Sequence, residues 1–407
     1  MQSVPKSLRL QILFAGRINA GKSSVVNLLS GQNTAIISAE RGTTTDVVEK
    51  AMELRPLGPV LLLDSAGTDD DSSLGALRIE RTRRAMERAD VLVIVTAPEV
   101  WDVPETELLE SAGALKIPVL CVINKCETAA VSDEFIARVT ELTGSVPVLT
   151  SAVDSSTANR SKFIEQLIGA LLKVIPEEQL QSPVLLHDLL PANGHVLMMV
   201  PIDTQAPKGR LILPQVQAIR DALDGEALCT VAKENAFPEI YSRFTQLPDL
   251  VVCDSQVVKK MIETIPAGVK CTTFSILMAR MKGDLGQLAA GAAAIASLKE
   301  NDRVLIAEAC THHAGCEDIG RVKIPALLQK KCNCKLNFDF YSGNDFPDEL
   351  ASYALVIHCG GCMLTRKTML NRLHTVANAG VPVVNYGVCL SYCTGVLNKV
   401  LSPFENL

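Results

Sequence analysis

The chain has 407 residues, 48% of them hydrophobic and 21% charged, which is more than one ordinary core accommodates, so two or three domains are expected. With 39 basic and 45 acidic side chains the net charge is −6, and only 4% of residues are aromatic. A general attraction to nucleic acid or anionic membranes is thereby excluded, and a base-stacking platform is not expected. The N-terminus lacks a signal-peptide pattern, and no apolar run reads as a membrane span. A cytoplasmic location is expected, or an organelle stroma or matrix in a eukaryote. Thirteen cysteines, an odd number without a secretion signal, argue against a disulfide framework.

The chain opens with "LRLQILFAGRINAGKSSVVNLLS", a strand, a glycine loop and a helix start. Gly16, Asn19, Ala20, Gly21, Lys22, Ser23 and Ser24 belong to a complete GxxxxGKS phosphate loop and the residue after it. Backbone N–H groups of such a loop close around phosphates, Lys22 neutralises the β and γ oxygens, and the Ser23 hydroxyl is offered to Mg²⁺. Next, "VLLLDSAG" (60–67) is a buried strand ending in Asp64 and Gly67. An Asp there holds Mg²⁺ through water, and the Gly N–H meets a γ-phosphate. "VLCVINKCE" (119–127) is another buried strand and ends in Asn124, Lys125 and Glu127. An acid at that place accepts from N1–H and the 2-amino group of guanine. "VPVLTSA" (146–152) brings Ser151 and Ala152 to the guanine O6. Four such pieces in order, each at the C-terminal end of an apolar strand, predict a P-loop GTPase domain over residues 1–176.

The stretches "GRINAGKSS", "ERGTTTD" and "DSAG" resemble the TrmE/Era class of GTPases over about residues 8–175. The resemblance implies that Thr44, following Thr43, completes the Mg²⁺ shell. It also implies that Asn19 and carbonyls between Ser38 and Thr43 hold a K⁺ ion in place of an arginine finger. The usual NKxD base motif is NKCE here, with Glu127 one methylene longer but the same acceptor geometry. Thr45 stands where the class has Arg, and Thr68 follows Gly67 where a water-orienting Gln would be. Slow, potassium-stimulated GTP hydrolysis is therefore expected.

"SSTANRSKFIEQLIGALLKVIP" reads as the closing helix of this domain and 177–183 as a linker. Strand patterns "HVLMMVPID", "EALCTVAK" and "DLVVCDS" then alternate with helical patterns, which predicts a small α/β domain over 177–264. It carries no chemical cluster, and self-association is the role assigned to it.

The last domain, 265–407, holds most of the cysteines. "VLIAEA" leads to Cys310, His312 and His313, and "ALVIH" leads through His358 to Cys359, Gly360, Gly361 and Cys362. Both clusters follow apolar strands, and in a parallel sheet the strand C-termini share one edge where ligands collect. The two glycines let the second loop turn tightly. The residues alone leave three readings open: a Cys₃His zinc site, an iron–sulfur cluster with one exchangeable position, or buried cysteines acting as small hydrophobes.

The pattern CxH at 310–312, then HCxxC at 358–362, behind a potassium-type GTPase and a chemistry-free middle domain, resembles the HydF family of FeFe-hydrogenase maturation GTPases. That resemblance spans essentially the whole chain. It implies a 4Fe–4S cluster on Cys310, Cys359 and Cys362, with His358, His312 or His313 as fourth ligand. It further implies a dimerising middle domain, a transient di-iron precursor as cargo, and radical-SAM maturases and apo-hydrogenase as partners. The alternatives are a ribosome- or tRNA-associated GTPase with a structural zinc domain, and a redox sensor whose cluster gates the GTPase. The expected fold is α/β throughout, a P-loop GTPase domain followed by two smaller α/β domains with parallel-type sheets.

Overall fold

The computed structural model describes residues 4–31, 47–67, 73–180, 183–201, 211–309, 318–343, 345–347 and 349–404. Two compact units divide at Ser182–Pro183, within the expected linker, of which Glu177–Leu180 forms a short helix.

The first unit is built on strands β1 (Leu10–Ala15), β2 (Val48–Leu54), β3 (Gly58–Asp64), β4 (Val91–Thr96), β5 (Val119–Ile123) and β6 (Val148–Leu149) in the order β2-β3-β1-β4-β5-β6. Only β2 runs antiparallel, against β3 at the edge. The inner strands are continuous apolar runs because helices cover both faces. Ile12 and Phe14 of β1 pack on one side with Phe163, Leu167 and Leu171 of the helix Thr157–Val174. Leu13 and Ala15 point to the other side, with Met86, Leu108 and Phe135. β2, "VEKAMEL", is polar and half-exposed, so its sequence carries little strand signal.

The second unit holds two four-stranded, all-parallel sheets. One comprises β7 (His195–Met199), β8 (Leu228–Ala232), β9 (Leu250–Cys253) and β10 (Lys270–Thr273) in the order β10-β9-β7-β8. It extends past the sequence boundary at 264, because "KCTT" pairs with β9 although only its position, and not its composition, marks it as a strand. The other comprises β11 (Arg303–Glu308), β12 (Asn337–Ser342), β13 (Leu355–His358) and β14 (Val383–Asn385) in the order β12-β11-β13-β14.

The helix Phe274–Lys282 joins these sheets. Thr273 caps its N-terminus by accepting from Ile276 N–H at 3.2 Å. Phe274, Leu277, Met278 and Met281 belong to the core on one face of the first of these sheets, while Ile276 and Ala279 belong to the larger core shared by its other face and the second sheet. A helix apolar on two faces is buried between layers. Among the described residues no helix is long and apolar enough to cross a membrane.

β11 lies between β12 and β13, and Ile306 at its centre is fully buried. Ile306→Ala should destabilise the second unit by about 2–5 kcal/mol. Denaturant unfolding measures this, and a loss below about 1 kcal/mol would show that the strand is not the core element described.

Candidate functional site

The nucleotide site forms where β1, β3, β5 and β6 end. Phe14 pairs with Asp64, so the carboxylate stands beside the start of the phosphate loop. Ser23 Oγ donates to Asp64 Oδ2 at 2.6 Å, and the other carboxylate oxygen is buried without a hydrogen-bond partner. Burial raises the Asp64 pKa, and the Ser23 hydrogen bond and Lys22 charge oppose that rise. A hydroxyl and a desolvated carboxylate facing each other are hard oxygen donors, which fits Mg²⁺. Lys22 is buried, with Nζ donating to the carbonyls of Gly16 at 3.0 Å and Arg17 at 2.8 Å.

Asn124 ties two loops together. Its Nδ2 donates to Ala20 O at 3.0 Å, and its Oδ1 accepts from Ala152 N–H at 2.9 Å. Gly21 takes φ +90° against it, and a Cβ there would stand 2.3 Å from Asn124 Nδ2. Glu127 is exposed, and a hydrogen bond from Ser151 holds its carboxyl below the ordinary value. The expected base-reading residues Asn124, Lys125, Glu127, Ser151 and Ala152 are thus brought to one edge with the phosphate loop. Gly67 packs on Ile18 of that loop. Ser24 lies exposed on the first helical turn, and Asn19 takes φ +62° within the loop. Ser38, Thr43, Thr44, Thr45 and Thr68 lie outside the described residues.

Sequence reading overlooked Arg17. Its guanidinium grips the fully buried Glu105 at 2.6 and 2.9 Å and Asp102 at 3.0 Å, anchoring the phosphate loop to the helix Val103–Ala114. The hydrogen bond to Glu105 raises the Arg17 pKa against desolvation.

The cysteine loop follows β13. β11 and β13 pair in parallel with Ala307 opposite His358, so the segments after both strands leave from the same edge. Cys359 N–H donates to Ala307 O at 2.9 Å, and Cys359 Sγ accepts from Ala309 N–H at 3.0 Å and Gly361 N–H at 3.5 Å. Gly361 turns the loop at φ +63°. Cys362 packs against the core that includes Leu277 and Met281, and burial raises its thiol pKa while Lys282 lowers it. Cys310, His312 and His313 lie outside the described residues, and among the described residues no group of three His, Cys, Asp or Glu assembles a metal site. N–H donors aimed at a sulfur and a buried cation beside two thiols nevertheless fit an anionic thiolate-held group.

His358 departs from the expectation of a fourth ligand. It is 1% exposed, with Nδ1 2.9 Å from Cys359 O and Nε2 3.1 Å from Arg372 Nη1. A guanidinium only donates, so Nε2 accepts and Nδ1–H donates to the carbonyl. Both ring nitrogens are committed, and the ring in this arrangement offers no lone pair to a metal. Desolvation, then the Arg372 charge, lowers its pKa to about 4.

Two more residues gave no sequence signal. Lys282, 2% exposed, donates to the carbonyls of Gly361 at 3.1 Å, Cys362 at 3.2 Å and Leu364. Burial lowers it to about 8 while Cys362 and Cys359 pull it back up. Arg372, besides holding His358, donates to Gly343 O at 2.7 Å and lies over the Phe346 ring at 5.0 Å. Only a helix packed against the cysteine loop could have revealed Lys282, and that packing is not written in any local pattern.

Gly21→Ala would force the phosphate loop off Asn124. A local strain of about 1–3 kcal/mol predicts GTP binding weaker by about tenfold or more. Titration with a fluorescent guanine nucleotide checks this, and unchanged affinity would contradict the loop geometry.

Residues 11–125 match the 50S ribosome-binding GTPase family, 185–283 the Hydrogen maturase F dimerization domain and 286–403 the Hydrogen maturase F tetramerization domain. Similar curated proteins include the tRNA modification GTPase MnmE of Brucella anthropi, 34% identical over 172 residues, 42% of this chain and 36% of that protein. MnmE of Synechococcus sp. strain JA-3-3Ab is 40% identical over 124 residues, 30% of this chain and 26% of that protein. The chain thus spans about a third or less of the length of these curated relatives. Among solved structures, Era of Aquifex aeolicus is 19% identical with a TM-score of 0.35, covering 58% of this chain and 98% of that one. The G domain of the T. maritima iron transporter FeoB is 22% identical with a TM-score of 0.31, covering 41% and 99%. The P-loop GTPase fold of the first unit rests on its strand order, its phosphate loop and the match over 11–125. With a GTPase domain followed by both of the maturase's own oligomerisation domains, the chain belongs to the hydrogen maturase F family.

Proposed function

We propose that the chain is a GTP-hydrolysing scaffold for building the FeFe-hydrogenase active site. It carries a 4Fe–4S cluster on Cys310, Cys359 and Cys362, receives a di-iron precursor as cargo from radical-SAM maturases, and passes it to apo-hydrogenase. The observation that carries this reading is the fusion of a GTPase domain to two hydrogen maturase F domains, the second of which presents the Cys359–Cys362 loop at the shared edge of β11 and β13. The cluster's chemistry there is to offer an iron with an exchangeable position, and the chain's own part is to hold and orient the thiolates.

In the GTPase site, Ser23 and Thr44 hold Mg²⁺, with Asp64 behind it through water. Lys22 and Gly67 meet the phosphates, and Glu127 reads guanine. Asn19 helps to hold K⁺, and hydrolysis is slow because Thr68 offers no amide to orient water. GTP orders the segment around Thr43 and Thr44, and hydrolysis releases it, changing which maturase docks. Homo-oligomer formation is supported by the two matched domains and by β8, an edge strand on which Leu228 is 65% and Val231 43% exposed. The tRNA modification GTPases share the GTPase portion, but a net charge of −6 and 4% aromatics disfavour an RNA-binding role.

Anaerobically loaded protein, exposed to the maturases, should activate apo-hydrogenase as read by hydrogen evolution, and Cys359→Ala should reduce activation to background. Activation that survives Cys359→Ala, or that the intact protein never supports, would contradict the reading. GTP turnover should rise several-fold when K⁺ replaces Na⁺, and Asn19→Ala should abolish that rise. A response to K⁺ that persists in the variant would remove Asn19 from the role.

A further inference from the structure

We propose that Lys282 is a positioning residue for the cysteine loop: it ties the loop through three carbonyls and supplies the buried positive charge that thiolates at Cys359 and Cys362 require. This rests on the cluster reading above and adds to it a residue on the helix Phe274–Lys282 that joins the two sheets.

The electrostatics favour that role over simple packing. Lys282 ends the helix Phe274–Lys282 and is almost fully buried. Among the described residues its hydrogen bonds run only to the carbonyl oxygens of Gly361, Cys362 and Leu364. Among the described residues no carboxylate pairs with it, whereas Arg280, two residues earlier on the same helix, pairs with Asp188. Carbonyl dipoles and the helix C-terminus favour a cation, but they leave a whole charge in a low-dielectric site. Buried charges persist when a counter-charge accompanies them. The loop that Lys282 holds carries Cys359 and Cys362, whose sulfurs as cluster ligands would place an anionic group beside it.

The loop geometry agrees. The carbonyls of 361, 362 and 364 converge on one ammonium, which fixes the turn between Cys359 and the helix Arg366–Asn378. Arg366 donates to Met281 O, so the helix end and the loop are cross-tied in both directions. A methionine or leucine would fill the same space without desolvating a charge. Neutral thiols would leave the ammonium without an anion, and a thiolate-held cluster gives it one.

The test uses the full chain, reconstituted without oxygen with ferrous iron and sulfide, as wild type, Lys282→Gln and Lys282→Arg. Two readouts are the rate of iron loss to a chelator and the midpoint potential from a redox titration followed by EPR. Gln keeps a donor for the carbonyls but drops the charge. Its cluster should lose iron about tenfold faster, in the range that outer-shell partners contribute, and its potential should fall, because a nearby cation favours the more negative reduced cluster. Arg keeps the charge and should hold a potential close to wild type. Should Lys282→Gln not fold, Lys282→Met takes its place beside Arg with the same expected order. A neutral variant that matches both Arg and wild type in potential and in iron loss would overturn the proposal and leave the cluster reading standing. A wild type that holds no cluster would overturn the cluster reading itself, and this proposal with it.

Discussion

The parallel pairing of β11 with β13 is the constraint on which the proposed C-terminal chemistry depends. With Ala307 opposite His358, the chain after each strand leaves from the same edge. Cys359 is therefore held from both sides, its N–H on Ala307 O and its sulfur on Ala309 N–H. A shift of one residue in that register would turn every side chain of β13 to the opposite face. Because β13 is apolar and buried on both faces, close packing and the bonds of Cys359 to Ala307 and Ala309, and not its hydrophobic pattern, hold this register.

The two chemical regions of the chain solve related electrostatic problems by different means. The phosphate loop meets a polyanion with backbone N–H groups, a helix N-terminus and Lys22, and its partner carboxylate Asp64 awaits a hard cation. On the reading proposed above, the cysteine loop would hold a softer anionic group. Around it stand Lys282, Arg372 and N–H groups aimed at sulfur, and desolvation is what makes each count. His358 belongs to this supporting shell: Arg372 occupies one nitrogen and the loop backbone the other, so the ring braces the loop.

Much of this is legible in the sequence where local pattern and chemistry coincide. The phosphate loop, Asp64, Asn124 and the loop at Cys359 each sit at the end of an apolar run, and a parallel sheet gathers those ends. β2 and β10 escape because polar or short edge strands lack a hydrophobic signature. Arg17 and Lys282 escape for another reason. Their partners, Glu105 and the carbonyls of 361–364, lie 88 and about 80 residues away, and only tertiary packing decides that a cation is buried there. The role expected of His358 as a ligand came from its neighbours in sequence, and the side chain that claims its Nε2, Arg372, lies a helix away.

The central claim is that Cys359 and Cys362, with Cys310, hold an iron–sulfur cluster at this sheet edge. The most direct measurement is iron and sulfide content with low-temperature EPR on the anaerobically reconstituted, dithionite-reduced chain, beside Cys359→Ala and Cys362→Ala. The account predicts about four irons per chain and a reduced-cluster signal that both variants lose. One tightly bound zinc with no such signal, or a cluster that persists in both variants, would contradict it.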